Sequence, residues 1–241
     1  MSKNETEISI PLDESQYEWV ELPSKGECYP HKKSRVPVAY LTAADENIIV
    51  SKELRSKRKV SDTLLERKIL DKSFNVKDLC IGDRDAILLW LRKTGYGNEY
   101  KVTEVDENGK SRETIIDLDK VTYDDFNYFG DENGYFEYIA KNRDEIKYRL
   151  LTHDIEEEVL DKILNLSSTE YEDDSIWDIV RMLMASQTVS VNGNKDTDYI
   201  ASYIKKMDIR ELASFLSFIM HNTPRVNIDI RIGDSLFYDI K

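Results

Sequence analysis

Few of the side chains that perform metal or acid–base chemistry stand at the spacing that such chemistry requires. His31, His153 and His221 are the only histidines, and no two of them have the i, i+4 separation of a helical zinc site. His153 begins a predicted helix and His221 ends one. Histidines at the surface or at helix ends are therefore expected, and the sequence predicts neither a metal site nor a histidine-based catalytic set.

The two cysteines, Cys28 and Cys80, form no recognisable redox or zinc motif. They lie far apart in the sequence, so neither a CxxC pair nor a zinc ribbon can be built from them. Free cysteines behave as small apolar residues in a reducing cytosol. Two buried free thiols are therefore expected.

Acidic residues are abundant, but none of their groupings matches a motif for catalysis or cofactor binding. Asp83, Arg84 and Asp85 are adjacent, and because neighbouring helix positions point in different directions, a helix cap with local ion pairing is expected there. The acidic glycine turns at 106–109 and 131–134 lack the glutamate that completes an EF-hand. We expect no catalytic residues and no cofactor, although a carboxylate pair like that of cell-wall hydrolases stays open as an alternative.

Charge is distributed unevenly around a formal net charge of −13, which disfavours a general phosphate-binding protein. Residues 31–59 contain eight lysines and arginines against three acids, whereas residues 101–175 contain 22 acids and 9 bases. A basic run could contact nucleic acid, an acidic protein surface or only solvent. We expect no nucleic acid, and we expect Lys57, Arg58 and Lys59 to dock on an acidic neighbour, which could be a second copy of the chain.

Length and composition indicate a compact protein. The 241 residues are 40% hydrophobic and contain only 9 glycines and 5 prolines, which disfavours disorder. The polar start MSKNETE does not resemble a signal peptide, and the apolar stretches are too short to cross a bilayer. A soluble protein without membrane insertion is expected.

The first segment, residues 1–38, is predicted to be an extended N-terminal arm. It carries four of the five prolines, which oppose helix formation. Tyr17, Trp19 and Tyr29 supply bulky side chains within it, so the arm is expected to lie on its own domain or on a neighbour. These three aromatic residues are candidate partner contacts.

The rest of the chain alternates between helical periodicity and the two-residue alternation of strands. Thr42 is the predicted cap of a helix at 43–54, and Ser61 or Asp62 that of the next helix. The stretch 81–100 predicts a buried helix capped by Asp83 and ended by Gly95. Hairpins are predicted at about 100–118, at 135–151 (with a helix as the alternative) and at 226–240. Further helices are predicted at HDIEEEVLDKILNL, IWDIVRMLMA, YIASYIKKM and IRELASFLSFIM. The segment SVNGN is predicted to be a turn.

These elements predict an α+β fold with a mainly helical core, short antiparallel β-hairpins and the N-terminal arm. The expected segments are the arm at 1–38, a helical core with the first hairpin at 39–122, an acidic hairpin-helix lobe at 123–174, and C-terminal helices with a terminal hairpin at 175–241. Arg92, Tyr96 and Tyr100, around the turn that follows the 81–100 helix, are further candidate partner contacts.

Four stretches resemble a known family in their order and spacing: LPSKGECYP at 22–30, YLTAADENIIVSKEL at 40–54, LLERKILD at 64–71 and IGDRDAILLWLRKTGYGNEY at 81–100. Together they are similar to the baseplate hub proteins of T-even-like contractile-tailed bacteriophages. MDIRELASFL and DIRIGDSLFYDI also resemble the C-terminal half of that family. The similarity is strong at 81–100 and weaker after Tyr123.

The resemblance implies a non-enzymatic protein that takes part in building the central hub of a phage baseplate, as a retained subunit or an assembly factor. Its partners would be other hub or tail proteins, in the host cytoplasm during assembly and, for a retained subunit, also in the finished tail. A transient chaperone absent from the virion, or a hub-associated cell-wall hydrolase, is the alternative. Many family members carry paired cysteines after the strand that follows GYG and again near the C-terminus, whereas this chain has none there, so a metal-dependent role does not carry over.

Overall fold

The computed structural model describes residues 13–105, 111–166 and 176–227. The α+β fold class is confirmed, with helices and small antiparallel sheets. The helices are α1 (Glu46–Ile49), α2 (Lys52–Ser56), α3 (Val60–Lys68), α4 (Ile81–Tyr96), α5 (His153–Leu166), α6 (Ile176–Gln187), α7 (Thr197–Lys206) and α8 (Ile209–His221). The strands are β1 (Tyr17–Glu21), β2 (Arg35–Ala39), β3 (Glu99–Val105), β4 (Ser111–Asp117), β5 (Thr122–Tyr123), β6 (Phe136–Ile139), β7 (Glu145–Tyr148), β8 (Thr188–Val191) and β9 (Val226–Asn227).

The predicted arm contains a hairpin in which β1 pairs antiparallel with β2. Val20, Val36 and Val38 point from this hairpin into the protein and are buried. Of the two locations expected for the arm, its own domain is the one observed for residues 13–38. Residues 1–12 lie outside the described part of the chain.

The N-terminal core consists of buried side chains from residues 20–118, and α3 and α4 form its centre. Leu64, Leu65, Ile87, Leu88 and Leu91 are completely buried. Because both faces of α4 contribute, its sequence shows a broad apolar surface rather than a narrow stripe. The first hairpin packs on this core through Tyr100 and Leu118, and the DENG turn predicted within it falls in 106–110, outside the described residues.

Several predicted helix ends are wrong. The helix expected at 43–54 is interrupted, because Ser51 adopts an extended conformation and caps a second helix through Leu54 N. Helix α3 begins at Val60, one residue before the nearer predicted cap. Helix α4 begins after Cys80, which places Asp83 in its first turn rather than at the cap, and it ends at Gly97, whose φ of +85° suits glycine.

The hairpin predicted at 135–151 is confirmed by β6 and β7, and the helix alternative is wrong. The sequence predicts only a turn at SVNGN, which follows α6. In the structure, the start of this segment belongs to β8, which adds a third antiparallel strand beside β7. Strand β9, which lies at the start of the predicted terminal hairpin, pairs with β5, which lies near the middle of the sequence. Residues 228–241, which carry the rest of that hairpin, lie outside the described chain.

The C-terminal core draws on Cys80 and on residues 126–219. Phe136, Tyr148 and Phe215 are its largest fully buried side chains. They come from β6, β7 and α8, so the predicted lobe at 123–174 and the predicted segment at 175–241 share one core.

Three glycines lie where main chain from the N-terminal core meets main chain from the C-terminal core, and we call them the glycine seam: Gly82, Gly130 and Gly134. A Cβ on Gly82 would overlap the carbonyl oxygen of Pro224, and one on Gly130 that of Glu27. A Cβ on Gly134 would overlap the carbonyl oxygen of Cys28, and its φ of +78° also favours glycine. Only hydrogen fits at these positions.

Candidate functional site

The two aromatic residues predicted at the start of the arm lie at the surface. Trp19 is 38% exposed and Tyr17 is half-buried, with the two rings edge to face at 6.5 Å between centroids. The guanidinium of Arg35 stacks on Trp19 at 4.8 Å from the ring centre. This pair remains available for contact with a partner.

Tyr29, Arg92 and Tyr100 are not available in that way, and their prediction as partner contacts is corrected. All three are buried, at 5%, 4% and 7% exposure. The Arg92 guanidinium lies over the rings of Tyr96 and Tyr100, at 5.1 and 5.7 Å, so these residues stabilise the turn at the end of α4. Tyr96, which is half-buried, donates a hydrogen bond to Glu46 Oε1 at 2.7 Å.

The three basic residues of the predicted docking strip have different surroundings. Lys57 and Arg58 are exposed, and Lys57 pairs with Glu53 one helical turn away at 2.7 Å. Lys59 lies 3.2 Å from Asp62 and 2.7 Å from Glu157, so it links α3 to α5 within the chain. Only Lys57 and Arg58 therefore face outward as a docking strip requires.

A buried polar cluster that the sequence analysis missed joins the segment 22–30 to the start of α4. Cys28 Sγ, Cys80 Sγ and a carboxylate oxygen of Asp83 all lie within 4.8 Å of one another. Cys80 and Asp83 are buried, and Cys28 is half-buried. Both thiols are free, as predicted, but only Cys80 is buried as expected, and the two cysteines are neighbours in space.

Hydrogen bonds occupy the Asp83 carboxylate. Oδ1 accepts from Ser24 N at 2.8 Å, and Oδ2 accepts from Ser24 Oγ at 2.6 Å and Tyr29 OH at 2.7 Å. Burial raises the pKa of Asp83, while the donors from Ser24 and Tyr29 act in the opposite direction.

Two thiolates and a carboxylate are ligands that Zn²⁺ accepts, and this cluster brings together two thiols and one carboxylate. Burial raises the pKa of the Cys80 thiol well above its usual range, so a metal that bound here would have to displace the thiol proton. Asp83 already accepts three protein hydrogen bonds. The donor set therefore fits a structural junction better than a metal centre.

A second cluster lies where α3, α4 and α5 meet. His153 Nε2 is 3.2 Å from Asp62 Oδ1, and Arg84 donates to the same oxygen at 3.1 Å. Burial alone lowers the pKa of His153, but the Asp62 and Glu156 carboxylates outweigh it and raise that pKa to about 9. His153 is thus a protonated member of an ion-pair network, not only a helix-end histidine.

Asp62, His153 and Glu157 also place three possible metal ligands together. Lys59 and Arg84 already bring two fixed positive charges to the same carboxylates, at 2.7 Å from Glu157 and 3.1 Å from Asp62. These cations oppose the entry of a further cation. The ion pairs hold α3, α4 and α5 together, and the carboxylates of Asp62 and Glu157 are already paired with cations of the chain.

In the described ranges, no helix is both long and apolar enough to span a bilayer. Searches with this chain found no matching family model, no similar curated protein and no similar solved structure.

Proposed function

We propose that this chain is a non-enzymatic interaction protein that takes part in building the baseplate hub of a contractile phage tail. The observation that carries the proposal is spatial. The four stretches that resemble the hub family, 22–30, 40–54, 64–71 and 81–100, are joined to one another in pairs by buried polar contacts. The residues that carry the resemblance thus include those that make buried polar contacts within the N-terminal half.

The first pair consists of 40–54 and 64–71. Asp45, which is completely buried, lies 2.5 Å from Lys68 Nζ and 3.0 Å from Arg67 Nε. Lys68 also donates to the carbonyl oxygen of Tyr40 at 2.9 Å. A buried charge without its partner costs several kcal/mol, so this contact selects one arrangement of the two stretches.

The second pair consists of 22–30 and 81–100. Ser24 and Tyr29 from the first stretch donate to Asp83 of the second, and Tyr29 OH also accepts from Cys80 N at 3.2 Å. The polar side chains of both pairs are engaged within the chain. This supports a role in which the motifs build a scaffold and the exposed surfaces bind partners.

Under this proposal the partners are other hub or tail proteins, and the protein works in the host cytoplasm during assembly. A retained subunit and a transient chaperone remain two forms of the same role. Exposed apolar side chains such as Trp19 and Phe129, the latter 81% exposed, provide contact area for either form.

Gene deletion with complementation tests the role. Deleting the gene from its phage should stop tail formation, and supplying the intact chain from a plasmid should restore it. Mass spectrometry of purified virions then separates the two forms, because a subunit is present in finished tails and a chaperone is absent. Intact tails from the deletion phage would refute the proposal, and peptidoglycan clearing in a zymogram by the purified chain would refute its non-enzymatic part.

A further inference from the structure

The hairpin of β1 and β2 has two outer edges, and only the edge of β2 is paired with other described residues. That edge meets the segment after α3, where Leu70 N donates to the carbonyl oxygen of Pro37 at 3.0 Å. Strand β1 has β2 as its only neighbouring strand in the described ranges. An unpaired strand edge presents a row of main-chain donors and acceptors, so it can add a further strand.

The register of the hairpin shows which main-chain groups of β1 point outward. Trp19 stands opposite Pro37, which has no N–H, so these two residues form a pair without hydrogen bonds. Such pairs alternate with bonded pairs along an antiparallel ladder, so the N–H and C=O groups of Tyr17, Trp19 and Glu21 all point away from β2. No main-chain hydrogen bond from another described residue reaches these groups, and we call them the open edge.

The open edge lacks most of the features that protect exposed strands. Exposed edges are usually protected by proline, by lysine, by a bulge or by a covering segment. The open edge contains no proline or lysine, and β1 pairs with β2 without a bulge. Trp19 and Glu21 are exposed, and the Arg35 guanidinium lies over the Trp19 ring at 4.8 Å. A second strand can therefore reach both the main chain and an aromatic ring.

We propose that the open edge pairs antiparallel with the open edge of a second copy of this chain, about a two-fold axis that passes beside Trp19. In this register Trp19 faces Trp19 of the second copy, and Tyr17 faces Glu21. Each residue of the open edge then exchanges two main-chain hydrogen bonds with the residue opposite. The two Trp19 rings meet at the centre, and an aromatic pair across two strands adds to the stability of the contact.

The charges of β1 favour this register and make the edge self-complementary. Glu21 faces Tyr17 and Glu18 faces Val20, so no two carboxylates stand directly opposite each other. A slip of two residues in one direction would place Glu18 opposite Glu18 of the second copy. The same slip in the other direction would place Tyr17 opposite Pro23, which has no N–H to donate. A second copy thus satisfies the main chain, the charges and the ring together.

The contact is small, so the association should be weak. Strand β1 has five residues, which places the interface at the lower end of the sizes found for specific complexes. We expect a dissociation constant of about 100 μM. The inference goes beyond the hub role and does not depend on it, because only the chain itself takes part.

Sedimentation equilibrium of the full chain over a range of concentrations tests the pairing. Trp19→Pro removes an outward N–H that makes no bond to another described residue, and it should weaken association at least about tenfold. Trp19→Val keeps that N–H and loses only the ring, so it should weaken association less, by about threefold. A thermal melt of each variant shows whether it folds.

A charge exchange at the two-fold axis tests the register and remains decisive if Trp19→Pro does not fold. Trp19→Lys and Trp19→Glu each place like charges opposite each other, so each variant alone should associate at least about tenfold more weakly than the parent chain. An equimolar mixture of the two should associate about fivefold more tightly than either alone, because only the mixed pair joins opposite charges. Phe129→Lys, at an exposed ring outside the open edge, is the control and should leave association unchanged.

Amide hydrogen exchange identifies any other occupant of the edge. The Trp19 amide should exchange quickly in dilute protein and slowly in concentrated protein. Slow exchange in the dilute monomer would mean that another part of the same chain covers the edge, and it would overturn the inference. So would a chain that stays monomeric at about 1 mM, a Trp19→Pro variant that associates like the parent, or a mixture no tighter than its components. A deletion phage with intact tails would refute the hub role alone, since none of these measurements uses a phage component.

Discussion

The two cores of this protein bury different kinds of side chain. Seven of the eight buried charged residues found in the described chain lie between positions 45 and 92, in or beside the N-terminal core, and the eighth is Glu211. The C-terminal core instead packs aromatic rings, with Tyr138 stacked on Phe215 at 4.7 Å and Tyr148 edge-on to Phe215 at 5.7 Å. In the N-terminal half, buried charged residues thus link the segments that pack together. In the C-terminal half, aromatic rings fill the core instead.

The difference has a consequence for where open cavities form. Buried charges require complete sets of partners, so Asp45, Asp62 and Asp83 are surrounded by donors and cations. An open cavity lies instead on the C-terminal half, beside Tyr199 and Tyr203. The comparison makes four predictions, given from the largest expected effect to the smallest.

Removing the central ring of the C-terminal core should have the largest effect. Phe215 is fully buried and contacts Tyr138 and Tyr148. Phe215→Ala should lower the free energy of unfolding in urea by about 4 kcal/mol, the usual cost of such a cavity. Met220→Ala, on the exposed side of the same helix, is the control and should change it by less than about 0.5 kcal/mol. A loss below about 1 kcal/mol for Phe215→Ala would mean that the rings do not hold this core together.

Removing a buried acceptor from the N-terminal core should come next. Asp83→Ala leaves Ser24 N, Ser24 Oγ and Tyr29 OH without their acceptor, and the expected loss is about 3 kcal/mol in the same urea titration. Asp83→Asn keeps one acceptor oxygen, so it should lower the free energy of unfolding by less than Asp83→Ala does. If both variants were as stable as the parent chain, charge would not specify the pairing of segments in this half.

The glycine seam provides a prediction that joins the two cores. Gly134→Ala combines strain at a φ of +78° with overlap against the Cys28 carbonyl, and should cost about 2 kcal/mol in thermal or urea unfolding. Gly193→Ala is a matched control, because Gly193 has the same φ of +78° but open space around its Cα. Equal losses for the two variants would show that backbone strain alone, without contact at the seam, accounts for the effect.

The ion-pair network of His153 should give the smallest effect, visible as a pH dependence. The pKa of His153 in the folded chain is raised to about 9, above the ordinary value of 6.5 in the unfolded chain. Its stabilisation is therefore complete below about pH 6.5 and is lost as pH rises through about 9. The loss should be about 1 kcal/mol, the usual size of a single ion-pair interaction, because Lys59 and Arg84 also neutralise the carboxylates around His153. His153→Gln should be less stable than the parent at pH 6 and nearly equal to it at pH 9.5, and a constant difference would contradict the network.

Local patterns in the sequence predicted most of the elements. Periodicity predicts α5, α7 and α8, and the last of these is capped by Asp208, which accepts from Arg210 N. Alternation located the hairpin of β6 and β7. Helix ends are less predictable because they depend on tertiary contacts: Gly95 stays inside α4, where Leu41 packs closely against it, and the helix continues to Tyr96.

The clusters could not be predicted because their members are distant in sequence. Nothing near Cys28 indicates that it will lie beside Cys80 and Asp83, and nothing near His153 indicates Asp62. One signal was present: Ser24 and Tyr29 belong to a resembling stretch, and so does Asp83, so a contact between those stretches was a reasonable hypothesis. Arg92 and Tyr100 were placed at the surface because their type suits interfaces, whereas both are buried.

The glycine seam also constrains how this protein can change over generations. Most contacts between parts of a protein run through side chains, so substitutions on one side can be matched by substitutions on the other. At Gly82, Gly130 and Gly134 main chain meets main chain, and no alternative side chain can be accommodated or compensated. Substitutions on the outer surfaces of both cores can therefore be absorbed by neighbouring side chains, whereas a substitution at the seam would have to move main chain.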